Sequence, residues 1–189
     1  VILAVGDAHE WVREGLPAHL NAVTVGDGSK EGIFMGPLIN ESQKGKVEGY
    51  IASGVEQGAE LLVDGRGVET GLPGWFVGPT LFDKVTPDMT IATEEIFGPV
   101  LCLSEVETLD QAMEVIHNHP LANASSIFTT SGAPARQFQY EVDASMCGVN
   151  IGVAAPMAFF GFGGAKGSFF GDLKAHGREA FDFYTDRKV

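Results

Sequence analysis

Cysteine is scarce in this 189-residue chain, with Cys102 and Cys147 the only two. Two thiols cannot build a multi-bridge scaffold, so a reducing compartment is expected, with the cytoplasm as the default location. Basic residues are scarce as well. Lys and Arg number 12 against 25 Asp and Glu, a formal net charge of −13, which argues against nucleic acid or an anionic membrane as partner. No apolar run approaches the ~20 residues that cross a bilayer, and the opening Val1–Val5 lacks the basic flank of a secretory signal. There is no initiator methionine; a strand-like segment at residue one is the expectation for a piece of a longer polypeptide. Internal repeats, low-complexity tracts and Pro/Ser-rich linkers are missing too, so one compact domain is expected.

Against these absences stands a regular alternation of short apolar runs and helical patterns, the mark of an α/β layer architecture. Strands are predicted at Val1–Val5, Ala59–Val63, within Gly74–Asp83, and at Val100–Val106, Ser126–Thr129 and Met146–Ile151. Pro79 marks the third of these as an edge strand or a bulge. Asn40 and Gln43 have the spacing of a capping box. Val47, Tyr50, Ile51 and Val55 continue the helical period, so a helix is expected from there to about Gly58. Thr108 and Gln111 predict a second cap before Ala112, Met113, Val115 and Ile116, with Pro120 as the stop. A further helix is expected around Ala135–Val142, and Phe181–Thr185 alternates as a strand. Such repeats favour parallel pairing through right-handed crossovers, hence a mostly parallel sheet with flanking helices.

The most informative stretch is Thr93-Glu94-Glu95-Ile96-Phe97-Gly98-Pro99-Val100. Two carboxylates precede an aromatic and a Gly-Pro that enforces a turn. A carboxylate held there could accept hydrogen bonds from the vicinal hydroxyls of a ribose, and Phe97 could pack on a flat heterocycle; composition alone reads a charged loop entering a strand. Cys102 and Cys147 lie in apolar strand patterns without a basic neighbour, so both are expected as buried structural thiols, not nucleophiles. His117 and His119 read as a solvated helix end, with no metal site expected; His9, His19 and His176 are scattered. Gly161, Gly163 and Gly167 miss the G-x-G-x-x-G spacing by one residue, and Lys166-Gly167-Ser168 inverts the P-loop order. Neither phosphate-binding motif is accepted.

Glu94-Glu95-Ile96-Phe97-Gly98-Pro99-Val100 resembles a motif of the aldehyde dehydrogenase superfamily. Met35-Gly36-Pro37-Leu38-Ile39, Gly78-Pro79-Thr80-Leu81-Phe82-Asp83, Gly148-Val149-Asn150, Phe162-Gly163-Gly164-Ala165-Lys166 and Phe183-Tyr184-Thr185 match in the same order. Ser168-Phe169-Phe170-Gly171-Asp172 ahead of His176-Gly177 is similar to the methylmalonate-semialdehyde dehydrogenase branch.

The resemblance implies part of a three-layer catalytic domain over residues 1–180, with 181–189 as an oligomerisation strand. In that family a cysteine attacks an aldehyde, hydride passes to NAD, and the thioester is resolved. In this branch coenzyme A is the acceptor and carbon dioxide is lost. The resemblance puts the nucleophile just upstream of Val1, leaving no catalytic cysteine among these residues. Carried over by position, Glu95 and Phe97 bind the cofactor, at the nicotinamide ribose and beside the nicotinamide, while Phe162 and, more weakly, Phe160 line the aldehyde pocket. Ala158, Gly161 and Ala165 are smaller than the family pattern there. The expected partners are a small aldehyde and further copies of the chain. The alternatives are a branch that releases its acid by hydrolysis, and a non-catalytic assembly module built on Phe181–Thr185.

Overall fold

The computed structural model describes residues 1–188. The chain forms two compact units, one of Val1–Thr108 and one from Leu109 on. No linker or composition shift marks the boundary, so nothing in the sequence announces it.

The first unit holds β1 (Ile2–Val5), α1 (Ala8–Asn21), α2 (Glu41–Glu56), β2 (Glu60–Val63), β3 (Thr80–Asp83), the short α3 (Thr90–Thr93) and β4 (Val100–Val106). Its sheet runs β1-β4-β3-β2. β4 pairs in parallel with β1, Ile2 opposite Leu103, and with β3, Leu81 opposite Leu101; only β2 runs antiparallel. The expected α/β class with a mostly parallel sheet is therefore present. β3 lies inside the sheet, so the edge position read from Pro79 is wrong. The proline immediately precedes the strand, where its missing N–H removes no ladder bond, and the register irregularity falls on β2 between Leu61 and Val63. The apolar core sits on this sheet: Val47 and Ile51 of α2 pack with Val77, Phe82, Val85, Ile91, Ile96 and Cys102.

Helix α1 is absent from the sequence-based expectation. It contains Pro17, its N-cap residue Asp7 makes no side-chain cap, and none of its residues is buried. Charge pairing fixes it instead. The fully buried carboxylate of Asp83 lies 2.8 Å from His9 Nε2, and Arg13 Nε donates to it at 2.6 Å. Arg13 also donates to Glu60 at 2.7 Å, and Glu60 pairs with Lys84. The other ring nitrogen of His9 lies 3.6 Å from Glu105 of β4.

The second unit holds α4 (Leu109–Asn118), β5 (Leu121–Ala122), β6 (Ala124–Ile127), α5 (Gly132–Glu141), β7 (Met146–Val149), β8 (Ala165–Lys166), a 3₁₀ turn at Gly177–Glu179 and α6 (Ala180–Tyr184). β6 and β7 pair in parallel and β5 and β8 antiparallel, each as a two-stranded ladder. The strand expected at Phe181–Thr185 is instead the five-residue α6. Alternation over five residues suits either form, and no described strand pairs with the segment to impose the extended one.

Candidate functional site

The segment from Thr90 to Gly98 is read almost entirely by one face of α2. Asn40 Oδ1 accepts the backbone N–H of Gln43 at 2.8 Å, which starts the helix as the spacing predicts. The reciprocal half of the capping box is not made. The Gln43 side chain turns outward and its Nε2 donates to the carbonyls of Ile96 at 3.0 Å and Phe97 at 3.2 Å.

One turn further, Val47 lies under Gly98: a Cβ there would stand 2.5 Å from Val47 Cγ2, so only glycine permits the approach. Tyr50 donates to Glu94 Oε2 at 2.6 Å, and this bond raises the tyrosine pKa. At the helix end Gln57 donates to Thr90 Oγ1 at 2.7 Å and accepts its N–H at 2.8 Å, capping α3. Residues 43, 47, 50 and 57 thus form a single stripe whose spacing follows the helix.

This bracket leaves two side chains outward. Glu94 is engaged by Tyr50, whereas Glu95 is exposed and has no hydrogen-bond partner among the described residues. Phe97 is 75% exposed on a backbone with φ +57°, left-handed for a residue that rarely adopts it. Between them Ile96 is buried in the core. An anchored isoleucine is thus flanked by a free carboxylate and a presented aromatic ring. The structure therefore brings Glu95 and Phe97 together on one fixed turn. Gln43 and Tyr50 were missed as contributors; the i, i+7 spacing on one helical face was their only sequence signal.

Phe160 and Phe162 lie on the loop between β7 and β8 of the second unit. Phe160 is 56% exposed and packs its ring 4.6 Å from that of Phe159. Phe162 is half-buried, stacked on His176 with ring centroids 4.5 Å apart and planes 24° from parallel. Gly177, at φ +65°, lets the chain return across this loop, since a Cβ there would meet Phe159 O at 2.5 Å. The neighbouring Lys166 carries no phosphate loop. Its ammonium donates to carbonyls at the end of α4, at 2.8 Å to His117 O, and pairs with Asp143 at 3.1 Å.

The thiols differ from expectation in one respect. Cys102 is buried in β4 with its sulfur toward Ile91 O, as expected. Cys147, on β7, is exposed where burial was expected. Partial burial still pushes both thiols above their ordinary pKa, and neither hydrogen-bonds to a base. His117 Nε2 lies 2.9 Å from Glu141 O, and His119 Nδ1 accepts the N–H of Leu121 at 3.1 Å. Among the described residues no group of three or more His, Cys, Asp or Glu is placed to hold a metal ion, and no helix is long and apolar enough to cross a membrane.

The whole chain, residues 1–189, matches the aldehyde dehydrogenase family, and it belongs to that family. It is 47% identical over 189 residues to the malonate-semialdehyde dehydrogenase of Halalkalibacterium halodurans, matching all of this chain and 39% of that protein. The crystal structure of methylmalonate-semialdehyde dehydrogenase from Oceanimonas doudoroffii matches with a TM-score of 0.94 at 43% identity, over 98% of this chain and 39% of that one. Mycobacterium tuberculosis aldehyde dehydrogenase complexed with NAD+ matches at 0.90 and 34% identity, over 99% of this chain and 38% of that one. The chain thus spans about two fifths of the length of the relatives it matches, 39% in the first case.

Proposed function

We infer that this chain forms part of an NAD-dependent dehydrogenase of malonate or methylmalonate semialdehyde that transfers its acyl group to coenzyme A with loss of carbon dioxide. The turn bearing Glu95 and Phe97 carries the reading. An exposed Glu95, unpartnered among the described residues, accepts hydrogen bonds from vicinal ribose hydroxyls, while Phe97 offers an apolar face to a flat heterocycle. These residues fit the nicotinamide half of NAD, which when bound supplies the hydride acceptor. Phe162, held by His176, and Phe160 form an apolar boundary for the aldehyde. The 47% identity to a malonate-semialdehyde dehydrogenase across the whole chain supports the substrate class.

Desolvation raises the pKa of both thiols of this chain and neither has a basic partner among the described residues, so the 189-residue polypeptide alone is not expected to turn over. Purified chain given methylmalonate semialdehyde, NAD and coenzyme A should form no NADH; NADH production above background would overturn this. In the assembled enzyme, Glu95→Gln should raise KM for NAD and leave KM for the aldehyde unchanged. Acyl-CoA as product, rather than free acid, separates this branch from a hydrolytic one. Exposed Phe181 and Tyr184 support a role for residues 181–189 in joining a second subunit of a cytoplasmic homo-oligomer.

A further inference from the structure

We propose that Lys166 is the positioning residue of the loop that carries Phe162, fastening its outgoing end to the last turn of α4 without itself touching substrate; this rests on the aldehyde-lining role given to Phe162 above. Lys166 has φ +50°, a left-handed backbone that residues with a Cβ rarely adopt. It stands in the tight turn Ala165–Ser168, where the Ser168 N–H donates to Ala165 O at 3.0 Å. Its ammonium compensates for that backbone. Nζ donates to His117 O at 2.8 Å and to Ile116 O and His119 O at 3.3 Å, and pairs with Asp143 at 3.1 Å. Carbonyls at a helix end run short of donors and carry the negative pole of the helix, so a cation is the partner that suits them.

The same residue fixes the course of the loop. Leu121 pairs with Lys166 and Ala122 with Ala165 in the β5–β8 ladder, and the Gly167 N–H donates to Pro120 O at 3.0 Å. Gly163-Gly164 join Phe162 to this turn, and Gly164 lies so close against it that a Cβ would stand 2.5 Å from Ser168 O. Upstream, Val153, Met157 and Phe159 are exposed and contribute little packing. The ring of Phe162 is thus set by the Lys166 tie on one side and by the stack on His176 on the other, with 4.5 Å between ring centroids. Without the ammonium the turn is free to leave α4 and to relax toward a right-handed backbone. Gly164 then shifts and draws Phe162 off His176. A lysine that merely capped α4 would leave that stack in place.

The test uses the isotope-labelled 189-residue chain. Lys166→Met keeps the length of the side chain and removes its charge and its donors, whereas Lys166→Arg keeps both. Lys166→Gly removes the tie while easing the left-handed backbone, which protects folding. Nuclear Overhauser contacts between the Phe162 and His176 rings report the stack, and the resonances of buried Met113 and Phe138 report the fold of this unit.

Lys166→Met and Lys166→Gly should lose the ring contacts, Lys166→Arg should keep them, and Met113 and Phe138 should be unmoved throughout. In the assembled enzyme, Lys166→Met should raise KM for the semialdehyde about tenfold, since a displaced ring loses its contact with the substrate, and leave KM for NAD unchanged. An intact Phe162–His176 contact in folded Lys166→Met or Lys166→Gly chain overturns the proposal, as does a Lys166→Arg chain that behaves like Lys166→Met. Lost ring contacts with an unaltered KM for the semialdehyde refute the aldehyde-lining reading of Phe162 alone, and the tie to α4 stands.

Discussion

Helices α1 and α2 serve the same sheet and are attached to it by opposite means. α2 buries Val47, Ile51 and Gly54 and uses the polar residues of one face to bind backbone and side chains of a single loop. α1 buries nothing and is fixed by His9 and Arg13 converging on Asp83, a carboxylate with no exposed surface. Burial alone raises the Asp83 pKa, but the hydrogen bonds from His9, the Lys84 N–H and Arg13 outweigh it and hold the group below its ordinary value. An apolar stripe tolerates modest change because many contacts share the load. A charge cluster concentrates its contribution in one buried atom pair, and loses it at once when a partner goes.

The largest expected effect falls on the charged attachment. Asp83→Ala removes the charge-assisted hydrogen bonds of both His9 and Arg13, leaving Arg13 with Glu60 alone, and should lower the unfolding free energy by about 3–5 kcal/mol in denaturant titration; a loss under about 1 kcal/mol would put α1 on the same footing as a surface helix. The same carboxylate sets an acid limit. Its folded pKa is depressed from 3.8, so its stabilisation is present above that value and lost as pH falls through the lower folded one. Wild type should therefore lose stability on acidification in a range where Asp83→Asn shows a flatter profile.

On the apolar attachment, Ile51→Ala should cost about 2–4 kcal/mol, leaving a void against Phe82. Gly98→Ala should follow at about 1–3 kcal/mol, since its methyl would meet Val47 Cγ2 at 2.5 Å. Pairing it with Val47→Ala should cost less than the sum of the two single changes, and strict additivity would show that the helix and turn do not bear on each other. The smallest effect belongs to Lys84→Ala, whose exposed pairing with Glu60 contributes below about 1 kcal/mol.

The same contrast explains what could be read in advance. α2 was legible because its information is local: a cap at Asn40, a period through Val47 and Ile51, and a stop near Gly58. Strand β4 was located to the residue, since its run is apolar and bounded by Pro99 and the cap at Thr108. α1 was invisible because its attachment pairs residue 9 with 83 and residue 13 with 60, separations at which no spacing rule operates, and because Pro17 argues locally against a helix. Glu95 and Phe97 were singled out through their motif. The α2 face that fixes them was not, since Gln43 satisfied a simpler local role as a cap partner. α6 failed for the converse reason: five alternating residues specify a strand only when a neighbouring strand is there to pair with them.

One consequence of the sheet order concerns the timing of synthesis. β1 pairs with β4, so Val5 meets Val106 only after 101 further residues have been made. At roughly 5–20 residues per second, that interval is about 5–20 s. Over the latter half of it the nascent chain holds β1, α1 and α2 with their central strand β4 still unmade, and the apolar face of α2 has no finished sheet to cover. Cells would be expected to meet this stretch of translation with chaperones, and a codon-induced pause just before Val100 should raise the yield of misfolded product more than one placed after Val106.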